Sequence, residues 1–278
     1  MESCRKLRLV CTPPADGFAN MAVDEALFIA HAEGWAPPTL RLYSWRPPAL
    51  SIGYFQSLSR DVDAEACARA GVHVVRRLTG GRAVLHADEI TYSIVLSEAL
   101  LRAWVQGADA TLPPFSRAET LDPLASYRVL CGGLIAGLRR LGLEASLAPA
   151  ARGRRAPSGA DCFAAAAGCD LVVNGKKICG SAQLRRGGVI LQHGSLLFSR
   201  ADAHALWRHP SPPANATNLT EALGFRPQPE VVARALADGF AEALAVCVEP
   251  GRLDGAEECL AEKLRHEKYA TPAWNLRR

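Results

Sequence analysis

Three cysteines lie within eighteen positions in the segment ADCFAAAAGCDLVVNGKKICGSAQ, residues 160–183. They are Cys162, Cys169 and Cys179, and a pair of lysines stands just before the last of them. A thiol beside an ammonium group is a candidate nucleophile, because the cation favours the reactive thiolate. A cysteine without such a neighbour behaves as a small apolar residue. The segment therefore raises the question of which cysteine, if any, is reactive.

A metal site is the first alternative for this cluster. The candidate ligands Cys162, Cys169, Cys179 and His193 lack the short paired spacing of structural zinc sites, and the sequence contains neither CxxC nor HxxxH. The nine cysteines are scattered from position 4 to position 259, which is unlike a disulfide framework. We therefore predict no metal, free thiols, and a reducing, cytoplasmic compartment.

The two lysines follow Asn174-Gly175, a pair typical of the turn in a β-hairpin, so they open a predicted strand. Side chains alternate between the two faces of a strand, so Lys176 and Lys177 point in opposite directions and only one can enter a site. Periodicity alone does not choose between them. A solvated side chain remains the alternative for either lysine.

A second motif, RRLTGGRAVLH at 76–86, places a Gly-Gly turn between arginines after a predicted strand. Glycines allow backbone amides to approach a ligand closely, and such a turn can hold a carbonyl or a phosphate. The motif is neither a Walker A loop nor GxGxxG. A tight turn between two strands is the structural alternative.

Composition limits the remaining function classes. The chain has 278 residues, is 49% hydrophobic, and lacks an apolar run near the roughly 20 residues of a membrane helix. Its N-terminus does not resemble a secretory signal. A net charge of +4 with 6% aromatic residues does not suggest nucleic-acid binding. Basic residues cluster at 151–159 and 183–188, which suits docking of an acidic protein, with solvated loop charge as the alternative.

The pattern of apolar residues predicts the elements that position these motifs. Strands are predicted at 7–11, 39–45, 49–55, 72–77, 83–86 and 89–96, and three more within 170–198. Helices are predicted at 16–34 (capped by Asp16), 61–71, 119–142, 229–246 and 256–270, with a loop at 104–118. Strands dominate the middle and helices flank them. This order predicts an α+β fold with a mixed, largely antiparallel sheet packed with helices.

Taken together, the motifs resemble a known family. RRLTGGRAVLH, NGKKICGSAQ, ILQHGSLLF and the early NMAVDEAL…LRLYSW…LSIGYFQ are similar, in the same order, to the biotin/lipoate protein ligase and lipoyl transferase superfamily. The ending KYATPAWN resembles its lipoate branch. The resemblance implies one catalytic domain over 1–278, with a core at about 7–250 and a helical C-terminal extension. It also implies a fold similar to the catalytic domains of biotin protein ligase and class II aminoacyl-tRNA synthetases.

The resemblance also implies a chemistry. ATP-dependent ligases of this superfamily usually carry GGGAV(F/Y)H, whereas this chain has TGGRAVLH together with DCF at 161–163. In these features it resembles the octanoyltransferase group typified by the enzyme that modifies the glycine-cleavage H protein. By that resemblance Cys162 carries the acyl group, Lys177 is its partner, no cofactor is needed, and Cys169 and Cys179 are inert.

The remaining site residues follow from the same resemblance. His73 is expected at the surface. The residues expected to bind the acyl substrate and the developing oxyanion are Arg76, Gly80, Gly81, His86, Gly180, Ser181, Ala182 and His193.

The expected partners are an octanoyl-acyl carrier protein as donor and a lipoyl-domain lysine as acceptor, on glycine cleavage H protein or on a dehydrogenase E2 subunit. Arg152, Arg154 and Arg155 are expected to guide docking. Three alternatives stay open: an ATP-dependent lipoate–protein ligase, an amidotransferase between lipoyl domains, and a catalytically silent acyl- or lipoyl-domain-binding regulator.

Overall fold

The computed structural model describes residues 5–106, 122–149, 162, 170–208 and 215–277. Within them the strands are β1 (Lys6–Cys11), β2 (Thr39–Tyr43), β3 (Ala49–Ile52), β4 (His73–Arg76), β5 (Val84–His86), β6 (Glu89–Ser97), β7 (Ala145–Leu147), β8 (Leu171–Val173), β9 (Lys176–Arg186), β10 (Val189–Leu197) and β11 (Cys247–Gly251). The helices are α1 (Gly17–Ala32), α2 (Leu58–Asp61), α3 (Ala64–Arg69), α4 (Glu98–Gln106), α5 (Pro123–Arg140), α6 (Leu219–Leu223), α7 (Pro229–Leu244), α8 (Gly255–Leu264) and α9 (Pro272–Asn275). A 3-10 turn covers His204–Leu206, and a π-helical turn covers Arg265–Tyr269.

Two sheets organise these elements. The larger has eight strands in the order β11-β1-β2-β6-β10-β9-β8-β7, and the smaller has the order β4-β3-β5. In the large sheet β1 runs parallel to β11 and β2, and the other neighbours are antiparallel. In the small sheet β3 is parallel to β4 and antiparallel to β5. The predicted α+β fold with a mixed, largely antiparallel sheet is confirmed.

Two tight turns set the register of the central strands. Asn174 and Gly175 have φ of 50° and 74°, and they join β8 to β9. Gly187 and Gly188 have φ of 61° and 75°, and they join β9 to β10. Left-handed backbone of this kind favours Asn and Gly, so the hairpins predicted from these pairs are confirmed. The second turn places the GSA segment of β9 opposite residues 193–195 of β10.

The main core lies on one face of the large sheet, under α5 and α7. Gly133 makes their close approach possible, because a Cβ there would lie 2.4 Å from the ring of Phe240. The opposite face is covered by α1, whose Leu27 and Phe28 pack against strands β6 and β10. Asp16 caps α1 by accepting the Ala19 N–H at 2.7 Å, as predicted.

Several elements differ from the prediction. The strands predicted at 39–45 and 49–55 belong to different sheets. The predicted loop at 104–118 begins as the end of α4, and its remainder lies outside the described residues. Strand β11 was not predicted, because its CVEPG sequence is short and contains a proline.

Cysteine usage also differs in one place. Among the described residues, the cysteines that form no disulfide are Cys11, Cys67, Cys131, Cys162, Cys179 and Cys259. Cys247 at the start of β11 is disulfide-bonded, so the prediction that all cysteines are free is wrong there. No helix in the described part of the chain is both long and apolar enough to cross a membrane.

Candidate functional site

The thiol of Cys162 lies next to the ammonium group of Lys177. The Lys177 Nζ donates to the Cys162 carbonyl oxygen at 2.8 Å and lies 3.5 Å from its Sγ. Strand alternation produces this contact, since Lys177 is buried in β9 while Lys176 is exposed. The structure therefore brings Cys162 and Lys177 together and keeps Lys176 away from the thiol.

A carboxylate completes this cluster. Asp170, just before β8, accepts from Lys177 Nζ at 2.8 Å, and both side chains are almost fully buried. Burial lowers the pKa of Lys177, but the charges of Cys162 and Asp170 and its hydrogen bonds to them outweigh burial and raise it. Sequence reasoning missed Asp170, because nothing in its local context marks it as different from a surface residue before a strand.

The neighbourhood of the thiol is tightly packed. A Cβ on Gly180 would lie 3.0 Å from Lys177 Nζ and 3.1 Å from Cys162 Sγ, so the absence of a side chain there leaves room for the pair. The Cys162 N–H donates to the Ala83 carbonyl at 2.8 Å, which ties the nucleophile candidate to the chain after the Gly-Gly turn. Cys179 is fully buried, and burial raises the pKa of its thiol to about 12. A thiol with so high a pKa is almost entirely protonated near neutral pH.

A cavity of about 470 Å³, including its open mouth, extends from Cys162 into the protein. Six of the residues predicted to bind substrate line it: Gly81, His86, Gly180, Ser181, Ala182 and His193. Sequence reasoning missed other lining residues, which come from α1 and from strands and loops distant along the chain: Met21, Tyr43, Trp45, Ser51, Arg77, Val84, Thr91, Gly194 and Ser195.

Among the described residues, the arginine that lines the cavity is Arg77, whereas Arg76, predicted to bind substrate, does not line it. Arg76 is fully buried and donates to the carbonyl oxygens of Gly53 and Asn275, which is a structural role. Arg77 continues the strand pairing of β4 and therefore points to the opposite side. Its guanidinium donates to the carbonyl of Gly80 at 2.8 Å.

Gly80 thus contributes its carbonyl oxygen to the hydrogen bonds of the Gly-Gly turn, and it does not line the cavity. Arg77 also donates to the carbonyl of Arg82 at 2.7 Å and thereby closes the Gly-Gly turn. Burial lowers the pKa of Arg77 to about 10, against the nearby charge of Cys162, which raises it. The Arg77 guanidinium is therefore a cation that lines the cavity, in addition to the Lys177 ammonium group next to Cys162.

His86 and His193, which line the cavity, are each hydrogen-bonded through both ring nitrogens. His193 Nδ1 lies 3.0 Å from Asp24 Oδ2, and its Nε2 lies 2.7 Å from Thr79 Oγ1. Burial lowers the pKa of His193, in spite of the hydrogen bond that its ring donates to Asp24, which raises it. The ring is therefore neutral at neutral pH and contributes no charge to the cavity.

His86 is held in a similar way. Its Nδ1 lies 2.6 Å from Glu89 Oε1, its Nε2 lies 2.7 Å from Ser51 Oγ, and its ring stacks on Trp45 with centroids 3.9 Å apart. Asp24 and Glu89 were not identified from the sequence. Asp24 leaves no local sequence signal, because its partner His193 lies 169 positions away, whereas Glu89 lies only three positions after His86.

The other sequence predictions have mixed outcomes. His73, expected at the surface, is half-buried and stacks on Phe18 with centroids 5.3 Å apart. In the second basic cluster, Arg185 pairs with Glu98 at 2.6 Å, so its charge is partly neutralised.

Three predicted docking residues, Arg152, Arg154 and Arg155, lie outside the described residues, as does Cys169. Within the described residues, no three or more His, Cys, Asp or Glu side chains are arranged to hold a metal ion.

The matching family model describes a lipoyl protein ligase domain, and two similar proteins of known name are octanoyltransferases. Residues 16–241 match the family of the lipoyl protein ligase A/B catalytic domain. The chain is 45% identical to octanoyltransferase LipM of Kyrpidia tusciae over 98% of both chains. It is 43% identical to octanoyltransferase LipM of Symbiobacterium thermophilum, again over 98% of both.

Solved structures agree with these relatives. A lipoate-protein ligase A bound with ATP has a TM-score of 0.77 and 27% identity, covering 98% of both chains. A bi-partite lipoate protein ligase of Thermoplasma acidophilum, described with its E2 lipoyl domain, has a TM-score of 0.72 and 25% identity. It covers 99% of this chain and 97% of that one.

Proposed function

Because the chain belongs to the family of the lipoyl protein ligase A/B catalytic domain, we propose that its acyltransferase reaction proceeds through a thioester on Cys162. The chain is an octanoyltransferase of protein lipoylation, as its full-length relatives indicate. The proposal adds the donor, an octanoyl-acyl carrier protein, and the acceptor, a lysine of a lipoyl domain such as glycine cleavage H protein.

One observation carries this proposal. The Lys177 ammonium lies 3.5 Å from the Cys162 sulfur at the cavity that would receive the acyl chain. A cation at this distance favours the thiolate, which is the nucleophilic form of cysteine. Cys179, the other described cysteine of the segment, is buried with its thiol pKa raised to about 12, so it is a poor candidate.

In the first step the Cys162 thiolate attacks the carbonyl carbon of the donor thioester. The new bond between sulfur and carbon forms as the bond to the donor thiol breaks, and the departing thiolate takes up a proton equivalent to the one that Cys162 lost. Negative charge develops on the carbonyl oxygen in between. Lys177 and Arg77 are the cations at hand to stabilise it.

In the second step the neutral amine of the acceptor lysine attacks the acyl-Cys162 carbonyl. The bond between Sγ and carbon breaks, an amide forms, and the proton lost by the amine returns to the cysteine sulfur. An amide is more stable than a thioester, so the transfer needs no nucleotide. An E2 lipoyl domain is named with the Thermoplasma relative, which supports an acceptor of this class.

A second candidate function is the ATP-dependent ligation of a free acid. It is favoured by the likeness over nearly the whole chain to lipoate-protein ligase A bound with ATP. The two functions differ in what they require, since the ligase needs nucleotide and a free acid whereas the transferase needs a thioester and Cys162.

The test is intact-protein mass spectrometry after mixing with octanoyl-acyl carrier protein in the absence of nucleotide. We expect the mass to rise by one octanoyl group, and hydroxylamine to remove it. Cys162→Ala should gain nothing, whereas the matched variant Cys179→Ala should be acylated like wild type. Acylation of Cys162→Ala would assign the thioester to another residue. Equal product formation from free octanoate with Mg-ATP would support the ligase.

A further inference from the structure

We propose that Asp170 is a positioning residue, which holds the Lys177 ammonium group against the Cys162 thiol through both steps of the transfer. The inference rests on the proposed function, since it assigns Asp170 a role in the same reaction. It concerns a carboxylate that makes no direct contact with the acyl cavity.

The geometry of the ammonium group is the first argument. An ammonium group has three N–H donors, and the described residues place three acceptors next to Lys177 Nζ. They are Asp170 Oδ2 at 2.8 Å, the Cys162 carbonyl oxygen at 2.8 Å and Cys162 Sγ at 3.5 Å. The contacts with Asp170 and with the Cys162 carbonyl are the shorter two, and they orient the ammonium group. Its third N–H then points toward the Cys162 sulfur.

Asp170 is itself firmly placed. Its carbonyl accepts the Ala148 N–H at 2.7 Å, which joins the residue to the end of β7. Its side chain is 8% exposed, and that of Lys177 is 1% exposed. Carboxylate and ammonium therefore meet in a place that solvent hardly reaches, where a hydrogen-bonded ion pair has well-defined geometry.

The charge of Asp170 is the second argument. A buried lysine without a counter-charge tends to lose its proton, because burial disfavours the charged form. The other described titratable groups that act on Lys177 or line the cavity do not replace the carboxylate. Cys179 is protonated at neutral pH, Arg77 is a cation, and Cys162 carries negative charge only as the thiolate. Once Cys162 is acylated, it no longer offers that charge. Among the described residues, Asp170 is then the anion in direct contact with Lys177, and it keeps the ammonium group protonated.

The sign of the effect follows from this arrangement. Replacing Asp170 by a neutral residue removes an interaction that favours the charged lysine, so the pKa of Lys177 should fall. The ammonium is then lost as the pH rises through that lower value. Acyl transfer to Cys162 should acquire an alkaline decline that wild type lacks.

The experiment measures single-turnover acylation of Cys162 by intact mass, with octanoyl-acyl carrier protein, from about pH 7 to about pH 10, which approaches the usual pKa of lysine. Wild type should rise to a plateau. Asp170→Asn should fall on the alkaline side by about a hundredfold, comparable to the loss of one oxyanion donor. The matched control Asp88→Asn removes the carboxylate of the Asp88–Arg226 pair and should follow wild type.

A double variant separates charge from packing. In Asp170→Asn with Lys177→Arg the cation cannot lose its proton in this range, so the alkaline decline should disappear even where the overall rate is low. A purely structural role for Asp170 predicts instead an equal loss at every pH. An Asp170→Asn profile parallel to that of wild type would overturn the proposal for Asp170 and leave the Cys162 thioester standing.

Two further outcomes are also decisive. If wild type takes up no acyl group on Cys162, the proposed function fails and the role of Asp170 fails with it. If Asp170→Asn loses its cooperative thermal unfolding transition, Asp170→Glu replaces it, since glutamate keeps the charge. That variant should be slower but keep the alkaline plateau, and an alkaline decline in it would overturn the proposal.

Discussion

The two sides of the cavity differ in how their polar groups are satisfied. On one side Cys162 lines the cavity, and we call it, together with the adjoining Lys177 and Asp170, the thiol wall. On the other side we call the lining residues His86, His193 and Trp45 the histidine wall. The thiol wall contains a charged pair in direct contact with a half-buried nucleophile candidate. In the histidine wall each imidazole has both nitrogens occupied.

This difference indicates that the two walls have different roles. A group whose hydrogen bonds are all made within the protein costs free energy to redirect, so it is suited to giving a cavity its shape. A cation held 3.5 Å from a sulfur is suited to responding when charge appears on that sulfur or on a bound carbonyl. The histidine wall is therefore expected to contribute stability and shape, and the thiol wall is expected to contribute rate.

The largest expected effect is on the thiol wall. Lys177→Ala should lower the rate of acyl transfer by about a thousandfold, since it removes the cation beside both the sulfur and the developing oxyanion. It should also slow alkylation of Cys162 by iodoacetamide near neutral pH. Lys176→Ala, the adjacent exposed lysine, is the matched control and should leave both rates unchanged. Equal alkylation of wild type and Lys177→Ala would show that the lysine does not activate the thiol.

Substitutions at the carboxylates that hold the histidine wall should lower the free energy of unfolding. Asp24 accepts from Arg41 at 2.8 Å and also contacts His193, so Asp24→Asn leaves a buried cation with a weaker partner. We expect a loss of about 3 kcal/mol in the free energy of unfolding, as is usual when one partner of a buried ion pair is removed. Asp88→Asn breaks a largely exposed pair and should cost less than about 1 kcal/mol. Urea unfolding measures both.

The pH dependence of this loss has a definite sign. Burial raises the pKa of Asp24, but the hydrogen bond from His193 and the charge and hydrogen bond of Arg41 outweigh burial and lower it. Its contribution to stability is therefore present above the unfolded pKa of about 3.9 and is lost as the pH falls through the lower folded value. The difference between wild type and Asp24→Asn should be full at neutral pH and shrink below about pH 4. A difference that stayed constant to the acid limit would contradict the ion-pair explanation.

The two walls also differ in how far they could be predicted from the sequence. The strands of the thiol wall follow from local signals, because Asn174-Gly175 specifies the hairpin turn that places Lys177 on β9. The choice of Lys177 over Lys176 needed the family resemblance, since a turn does not reveal which face is buried. Asp170 could not be found, because its contact with Lys177 depends on the irregular pairing of β8 with β9.

The histidine wall depends on contacts between distant segments. Asp24 on α1 meets His193 on β10, 169 positions away, and only the packing of α1 on the sheet brings them together. The different placement of Arg76 and Arg77 also depends on tertiary packing. Both are buried, and which of them faces the cavity is decided by how β4 pairs with β3. Periodicity shows that two neighbouring side chains point apart, but tertiary packing decides which direction is the cavity.

The smallest expected effect tests the spacing within the thiol wall without removing any charged group. In Gly180→Ala the new methyl would lie 3.0 Å from Lys177 Nζ and 3.1 Å from Cys162 Sγ, so these atoms must shift by a few tenths of an ångström. Small misplacements of reacting groups lower rates, and we expect acylation of Cys162 to slow by about tenfold with little change in thermal stability. Gly255→Ala, at a glycine with open space around it, is the matched control and should match wild type. If Gly180→Ala is acylated at the wild-type rate, the distance between the ammonium group and the sulfur matters less for the rate than their charges. The difference between the thiol wall and the histidine wall is then one of charge and not of spacing.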